Sequence, residues 1–286
     1  MDRFRKIAAG TYPLSVSTVP DDGAPETVTA PTITVTDGAG AVVATGVPTY
    51  AAGALSYALD AALCARLDTY HAAWTGTMGG VAWSWVSDFD LAAGYFCEIA
   101  EIRALDTAFA SSSSYPLATL RAARTQIEDA LELAGKVAFV RRGRRVSVSG
   151  SARGVRELLV PDFEVAELYS GTIDGTALTV TELAAITPDD NVLVRDDTED
   201  AWPYGRLNIG LHYAHGREFV PSPIKRAALT LFREYLVPSP LPGRATATSI
   251  GDQMFRLTIA GRDGHFGIPD VDVAVDDCGR KRYSAA

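Results

Sequence analysis

Short runs of alternating apolar and polar residues occupy the first third of the chain. From residue 12 to about residue 96 these runs are separated by Gly, Pro and Asp, a pattern typical of antiparallel strands joined by turns. Residues 32–37 alternate in this way, and the residues DGAG at 37–40 then supply a hairpin loop before residues 41–45 return. The pattern predicts an immunoglobulin-like β sandwich over residues 1–97.

The hydrophobic period changes from two residues to three or four near residue 98. Helical patterns cover about 98–134, around a polar break, and 222–236, where Pro223 suits the first turn of a helix. Between them, residues of about 137–215 return to strand-like runs. The sequence therefore predicts a second, α+β domain over 98–286, in which helices flank a β insertion.

Composition narrows the functional classes only slightly. The chain is 47% hydrophobic and 21% charged, and it has no apolar run long enough for a signal peptide or a membrane span. The net charge of −9 disfavours general nucleic-acid binding through a broad basic face, although an acidic wall can line a channel through which DNA slides. The widely spaced Cys64, Cys97 and Cys278 predict reduced, mostly buried thiols.

Two groups of residues invite a metal hypothesis, and neither has the required pattern. His212 and His215 are three positions apart on a predicted strand, so their side chains point to opposite faces. The acidic run at residues 196–200 lacks the alternating ligands and central glycine of a calcium loop. Nucleophile-elbow, phosphate-loop and dinucleotide-binding motifs are also missing. The sequence thus predicts a protein without catalytic residues, metal or cofactor, and not an enzyme.

One concentration of positive charge stands out against the acidic background. Arg141, Arg142, Arg144 and Arg145 surround Gly143 between two strand-like runs, which predicts a hairpin tip rich in guanidinium groups. Three interpretations remain open: a solvated turn, an ion-paired contact with a neighbouring subunit, and a transient contact with DNA phosphate. Arginine's planar fork suits both kinds of contact.

An ordered series of segments between residues 118 and 272 resembles the head-to-tail adaptor, or connector, proteins of long-tailed phages, particularly those of actinobacterial hosts. No single segment is specific, but their order along a little over half of the chain is. The segments are LRAAR at 120–124, GKVAFV at 135–140, DGTALT at 174–179, LHYAHG at 211–216, PIKRAAL at 223–229, EYLVPS at 234–239, GRDG at 261–264 and GIPDVD at 267–272.

The resemblance implies a helical-bundle adaptor domain with a β insertion, following the immunoglobulin-like sandwich. It implies a structural virion protein, made in the host cytoplasm, that forms a homo-oligomeric, dodecameric ring at the head-tail junction. This ring would sit beneath the portal protein and meet a stopper or tail-terminator protein, with the major capsid protein as a further possible neighbour. Genomic DNA would pass through it without sequence-specific binding, and no membrane is involved. A closed ring requires two different, complementary surfaces on each subunit.

Two other classes of protein remain open. A carbohydrate-binding or adhesive β-sandwich module on the virion surface would need Trp74, Trp83 and Trp85 to be exposed and coplanar, whereas the strand pattern favours placing them in the sandwich core. A tail-associated hydrolase is the third class, and no nucleophile or metal constellation favours it.

Overall fold

The computed structural model describes residues 2–19, 26–150, 155–195, 201–237 and 265–279, together with the backbone of 247–250 and 253–256. Among these residues 42% lie in strands and 26% in helices, so the protein is mostly β. The acidic run at 196–200 and the GRDG segment at 261–264 lie outside the described residues.

Eight strands precede the first helices. They are β1 (Asp2–Arg5), β2 (Thr11–Ser17), β3 (Val28–Thr36), β4 (Val42–Gly46), β5 (Thr49–Ala51), β6 (Ala54–Asp60), β7 (Thr69–Met78) and β8 (Val81–Ala92). The helices α1 (Ile99–Ala104) and α2 (Leu117–Gly135) follow. Short 3-10 turns lie at Ala61–Leu63 and Thr107–Ala110.

The second half of the chain returns to strands before its last helices. The strands and the short helix among them are β9 (Arg142–Gly150), β10 (Glu157–Leu159), β11 (Val165–Ile173), β12 (Thr176–Ala177), α3 (Val180–Ala184), β13 (Ile186–Asp189), β14 (Val192–Arg195) and β15 (Gly205–His215). The remaining elements are α4 (Ser222–Leu236), β16 (Ala247–Ile250), β17 (Gln253–Arg256) and α5 (Pro269–Cys278).

The chain divides into two compact units. Unit 1 comprises Met1–Gly94 and Arg141–Gly216, and unit 2 comprises Tyr95–Val140 and Arg217–Ala286. The strands expected as an insertion at about 137–215 therefore group with the N-terminal strands, whereas the sequence pattern placed them with the helices in a domain over 98–286.

Unit 1 is built on one large curled sheet of nine strands. Its strand order is β12-β11-β15-β9-β8-β7-β3-β4, and β1 adds to β8 in parallel. The strands β8 and β9 meet where Ala92 pairs with Arg142, so the sheet runs on from the N-terminal strands into those of residues 142–215. The predicted fold, an immunoglobulin-like sandwich followed by a helical-bundle adaptor domain, is therefore wrong. Local patterns identify strands but not this pairing across the chain.

Two smaller three-stranded sheets pack on the large one and form two hydrophobic cores. In the first core, alternate residues of β2 and β6, such as Leu14 and Leu55, are buried in the same cluster as Trp74 of β7. In the second, the sheet β10-β14-β13 covers one face of β15, where Leu211 and Tyr213 are buried. Because side chains alternate along a strand, the residues between them on β15 face away from this core.

Unit 2 consists mainly of helices α1, α2, α4 and α5. The predicted helices at α2 and α4 are confirmed, and each buries an apolar stripe at helical spacing, exemplified by Leu120 and Ile127 on α2. The end of α2 differs from the expectation of a capping glycine, because Lys136 takes the left-handed position (φ 54°) and Gly135 stays inside the helix. Among the described residues, no helix is long and apolar enough to cross a membrane.

Candidate functional site

The four arginines of the predicted hairpin tip lie at the start of a paired strand instead. Arg142, Arg144 and Arg145 belong to β9, which pairs with β15 along most of its length, and Arg141 directly precedes it. The predicted hairpin tip is therefore wrong. Whether these arginines contact a neighbouring subunit or DNA stays a prediction.

Gly143 explains why this run forms a strand and not a turn. A Cβ atom at position 143 would lie 1.8 Å from the carbonyl oxygen of Leu67. The glycine therefore allows the backbone at Leu67 and Asp68 to lie directly against β9. This close approach brings the Asp68 carboxylate to the side chain of Arg145, two positions further along the same face.

Arg145 joins three segments of unit 1. Its Nε and Nη2 donate to Oδ2 of Asp68 at 3.0 and 2.7 Å, and Nη2 also donates to Oδ2 of Asp37 at 3.2 Å. The other oxygen of Asp37 accepts from the backbone N–H groups of Ala39 and Ala41 in the β3–β4 loop. The Asp68 side chain is only 5% exposed, so Arg145 is the cation that compensates a buried carboxylate.

His212 stands opposite Arg145 across the pairing of β9 and β15. Its side chain is 2% exposed, and Nε2 lies 3.1 Å from the carbonyl oxygen of Leu67 and 3.7 Å from Oδ1 of Asp68. Burial lowers the pKa of His212, and the charge of Asp68 opposes this effect in part. The carbonyl contact assigns the hydrogen to Nε2 in the neutral ring, so Nδ1 is an acceptor. Nδ1 is buried and has no hydrogen-bond partner within the described residues.

A second polar cluster occupies the opposite face of the same strands. Asp162 accepts from the Tyr213 hydroxyl at 2.6 Å and from Nη1 of Arg144 at 2.7 Å, and Nδ1 of His215 lies 4.0 Å from it. Burial, followed by the hydrogen bond to Asp162, raises the pKa of Tyr213, and burial lowers the pKa of His215.

The side chains of the two histidines of β15 thus lie on opposite faces of the sheet, as their spacing predicted. His212 contacts Leu67 and Asp68, whereas His215 faces Asp162. In the part of the chain that the structure describes, no cluster of three or more His, Cys, Asp or Glu side chains could hold a metal ion.

A polar groove of about 280 Å³ opens beside Arg145 and His212. Its floor is the face of β9, β15 and β11 that lies opposite the second core, and its lining includes Ser147, Ser170, Thr172 and Gly210. A Cβ atom at Gly210 would lie 2.6 Å from Oγ1 of Thr172. A side chain at this position would therefore require Thr172 to move.

Arg141 faces a different hollow of about 360 Å³, which is also lined by Lys6, Glu167 and Tyr169. The Arg66 guanidinium lies 5.6 Å from the centre of the Tyr169 ring. The four predicted arginines are therefore not one site: Arg145 borders the polar groove, Arg144 faces Asp162 and Arg141 lines this hollow.

The carboxylates that define the two clusters carry no signal in the sequence. Asp68 is 77 positions from Arg145, and Asp162 is 51 positions from Tyr213. Neither lies in a motif, so only the pairing of β9 with β15 and the approach of residues 67–68 identify them. A glycine inside a run of arginines was the one available hint, and a turn explains such a glycine equally well.

The tryptophans that motivated a carbohydrate-binding module do not form an exposed platform. Trp74 is fully buried and its Nε1 donates to Oγ of Ser87 at 3.0 Å, and Trp83 packs against the first core. Only Trp85 of the three is largely exposed, at 55%. Stacking of a sugar across all three rings is therefore excluded by their placement.

No protein-family model matches this chain, and a search of curated proteins finds no match either.

Proposed function

We propose that this protein is a structural component of a phage virion, which assembles as a ring beneath the portal and joins the capsid to the tail. Its partners in this proposal are further copies of itself, the portal protein and a stopper or tail-terminator protein. The DNA channel continues through the ring. The protein acts by binding these neighbours and catalyses no reaction.

The observation that carries the proposal is the position of the segments that resemble adaptor proteins. The segments at 120–124, 135–140, 223–229 and 267–272 are far apart in the chain, yet all fall in unit 2. There α2, α4 and α5 pack on one another. These four segments therefore belong to one compact unit, whereas the segments at 174–179 and 211–216 lie in unit 1. The corrected fold class gives the proposal no support of its own.

Exposed apolar side chains in both units supply further support. In unit 1, Val81, Trp85 and Val86 of β8 are each more than half exposed, and in unit 2 the same is true of Leu133 and Phe219. Single exposed apolar residues are common, but Val81 and Trp85 share one face of β8, whereas Val86 lies on the other face, and such a pair suggests a surface that a partner covers. A head-to-tail ring needs two such surfaces of different composition on every subunit.

The charge of the chain suits a passage for DNA better than a tight binding site. The net charge is −9, and two of the four arginines predicted to contact a subunit or DNA, Arg144 and Arg145, already pair with carboxylates. Such a surface repels the polymer weakly and lets it slide.

Co-assembly with the portal protein encoded in the same phage genome tests the proposal. The full chain is mixed with purified portal rings, and the products are examined by mass photometry and electron microscopy. We expect a complex in which a ring of this protein adds to one face of the portal. The proposal is wrong if the chain neither forms a ring nor binds the portal at protein concentrations that would saturate binding with a micromolar dissociation constant.

A further inference from the structure

One edge of strand β8 is unpaired over most of its length. The strand pairs with β7 along one edge, from Val81 to Asp90, and β1 covers the outer edge only from Phe89 to Ala92. Among the described residues, no strand pairs with the outer edge over residues 81–88. An edge of this length presents backbone N–H and C=O groups to which a further strand can bond.

The printed backbone hydrogen bonds identify which residues of β8 face this outer edge. The N–H of Leu91 donates at 3.0 Å to the residue that precedes β7, whereas the carbonyl oxygen of Ala92 accepts at 2.8 Å from the residue that follows β1. Backbone groups of successive residues point to opposite edges of a strand, and the pairing of β8 with β7 contains no bulge. The N–H and C=O groups of Ala82, Ser84 and Val86 therefore point outward, as those of Ala92 do.

The free edge has none of the sequence features that usually protect the edge of a sheet. The segment VAWSWVS at 81–87 contains no charged residue, no proline and no glycine. Val81, Trp85 and Val86 are each more than half exposed. Natural edge strands are usually protected by lysine, proline or a bulge, so an unprotected apolar edge indicates a surface that a partner strand covers.

The sequence of this edge is complementary to a second copy of itself. When two β8 strands lie antiparallel about a twofold axis at Ser84, the two Ser84 residues form a hydrogen-bonded pair and Ala82 pairs with Val86 of the second copy. Trp83 then lies opposite Trp85 of the second copy, on both sides of the axis, at the closer positions that are not hydrogen-bonded. No charged residue lies within the paired segment, so this register brings no like charges together.

We propose that the free protein dimerises through this edge, with β8 of two copies joining their large sheets about a twofold axis at Ser84. Cross-strand aromatic pairs stabilise such a contact, and the outward backbone groups of three residues on each copy gain hydrogen-bond partners. A twofold contact cannot join neighbours in a closed cyclic ring, whose contacts are head-to-tail. The dimer is therefore a state of the free protein that goes beyond the proposed ring and does not rest on it.

Sedimentation velocity of the full chain from about 1 to about 100 μM tests the proposal, because this range brackets a micromolar dissociation constant. We expect a concentration-dependent species of twice the chain mass of 30.4 kDa. Ser84→Lys places two like charges opposite each other and should weaken the dimer about tenfold or more. Thr45→Lys is the matched control, because it adds the same charge at an exposed position of β4, the strand at the far edge of the same sheet, and should leave dimerisation unchanged.

A cysteine at position 84 tests the register of the two strands. The Cα atoms of a hydrogen-bonded antiparallel pair lie about 5.5 Å apart, within reach of a short bis-maleimide. In a Cys278→Ser background, which removes the native cysteine that is not buried, Ser84→Cys should be cross-linked to a covalent dimer and Thr45→Cys should not. Cross-linking at position 84 also tests the edge without an added charge.

Three results would overturn the proposal. The chain could stay monomeric over the whole concentration range, or Ser84→Lys could associate as tightly as Thr45→Lys. The third result is that Ser84→Cys yields no more cross-linked dimer than Thr45→Cys. A ring that forms equally well with Ser84→Lys would contradict the dimer and leave the proposed ring function standing.

Discussion

Replacing Arg145 with methionine removes the cation that compensates Asp68 while keeping much of the length of the side chain. Asp68 is 5% exposed and would lose two hydrogen bonds, at 3.0 and 2.7 Å. It would retain the bond that its Oδ1 accepts from the backbone N–H of Thr69 at 3.0 Å. The carboxylate would then stay buried with one hydrogen bond and no opposite charge.

The expected loss of stability follows from this burial. Removing one partner of a buried ion pair costs about 3–5 kcal/mol. Arg145 is 29% exposed, so water that enters the vacated space lowers the cost, and we expect about 3 kcal/mol. Arg144→Met is the matched control on the neighbouring position of β9. The Arg144 side chain is 51% exposed, and in this variant Asp162 keeps the hydrogen bond that it accepts from the hydroxyl of Tyr213. We therefore expect the free energy of unfolding to fall by only about 1 kcal/mol.

Urea unfolding followed by tryptophan fluorescence measures both variants. All four tryptophans of the chain lie in unit 1, so their emission reports the unit that contains Arg145. The free energy of unfolding comes from linear extrapolation, and an unchanged slope shows that the same surface is exposed. Adding Asp68→Asn to Arg145→Met removes the uncompensated charge and should recover part of the loss.

The reasoning fails if Arg145→Met costs less than about 1 kcal/mol, or no more than Arg144→Met. Either result would mean that water or a rearranged loop compensates Asp68 and that the pair does not hold the three segments together. A double variant that is no more stable than Arg145→Met alone would exclude the buried charge as the cause.

Further predictions concern the backbone, the histidines and the thiols. Gly143→Ala should lower the free energy of unfolding by about 3 kcal/mol, because its Cβ would overlap a backbone carbonyl. Gly80→Ala meets open space and should lower it by about 1 kcal/mol because of the positive φ at this position. Equal losses for the two variants in urea unfolding would contradict this. The pKa values of His212 and His215 are lowered in the folded protein, so below about pH 6.5 the unfolded chain takes up protons that the native state does not. The free energy of unfolding should therefore fall as the pH drops toward the pKa values of these histidines in the folded state. Replacing both with Gln should flatten that dependence, and an unchanged slope would contradict the assignment. In the native protein, Cys278 should react fast with a thiol reagent at pH 8, whereas Cys64 and Cys97 should react slowly because they are buried and their pKa values are raised. Three equally fast thiols would refute the burial of Cys64 and Cys97.

The elements that the sequence predicted well depend on local periodicity. The stripes of α2 and α4 repeat every three or four residues, and the hairpin of β3 and β4 has its own glycine-rich loop. Helix α5 was missed because acidic residues at 270, 272, 276 and 277 obscure its buried Val271, Ala274 and Val275. Those three residues still have helical spacing, so the signal was present but weak.

The fold class and the candidate site depend on contacts between distant residues. The placement of β9 between β8 and β15 joins the two halves of the large sheet, and no local pattern specifies which strands pair. The run of arginines around Gly143 fits a solvated turn as well as a paired strand. The contact that decides between them is the approach of Leu67, which is 76 positions away in the sequence. The same approach of Leu67 and Asp68 helps to bury His212.

Cryo-electron microscopy of the phage particle that we propose contains this chain tests the central claim most directly. The account predicts that the nine-stranded sheet of unit 1 and the helices of unit 2 fit density in a ring between portal and tail, with each subunit contacting two neighbours through different surfaces. Density for this fold elsewhere in the particle, or its absence from the head-tail junction, would contradict the account.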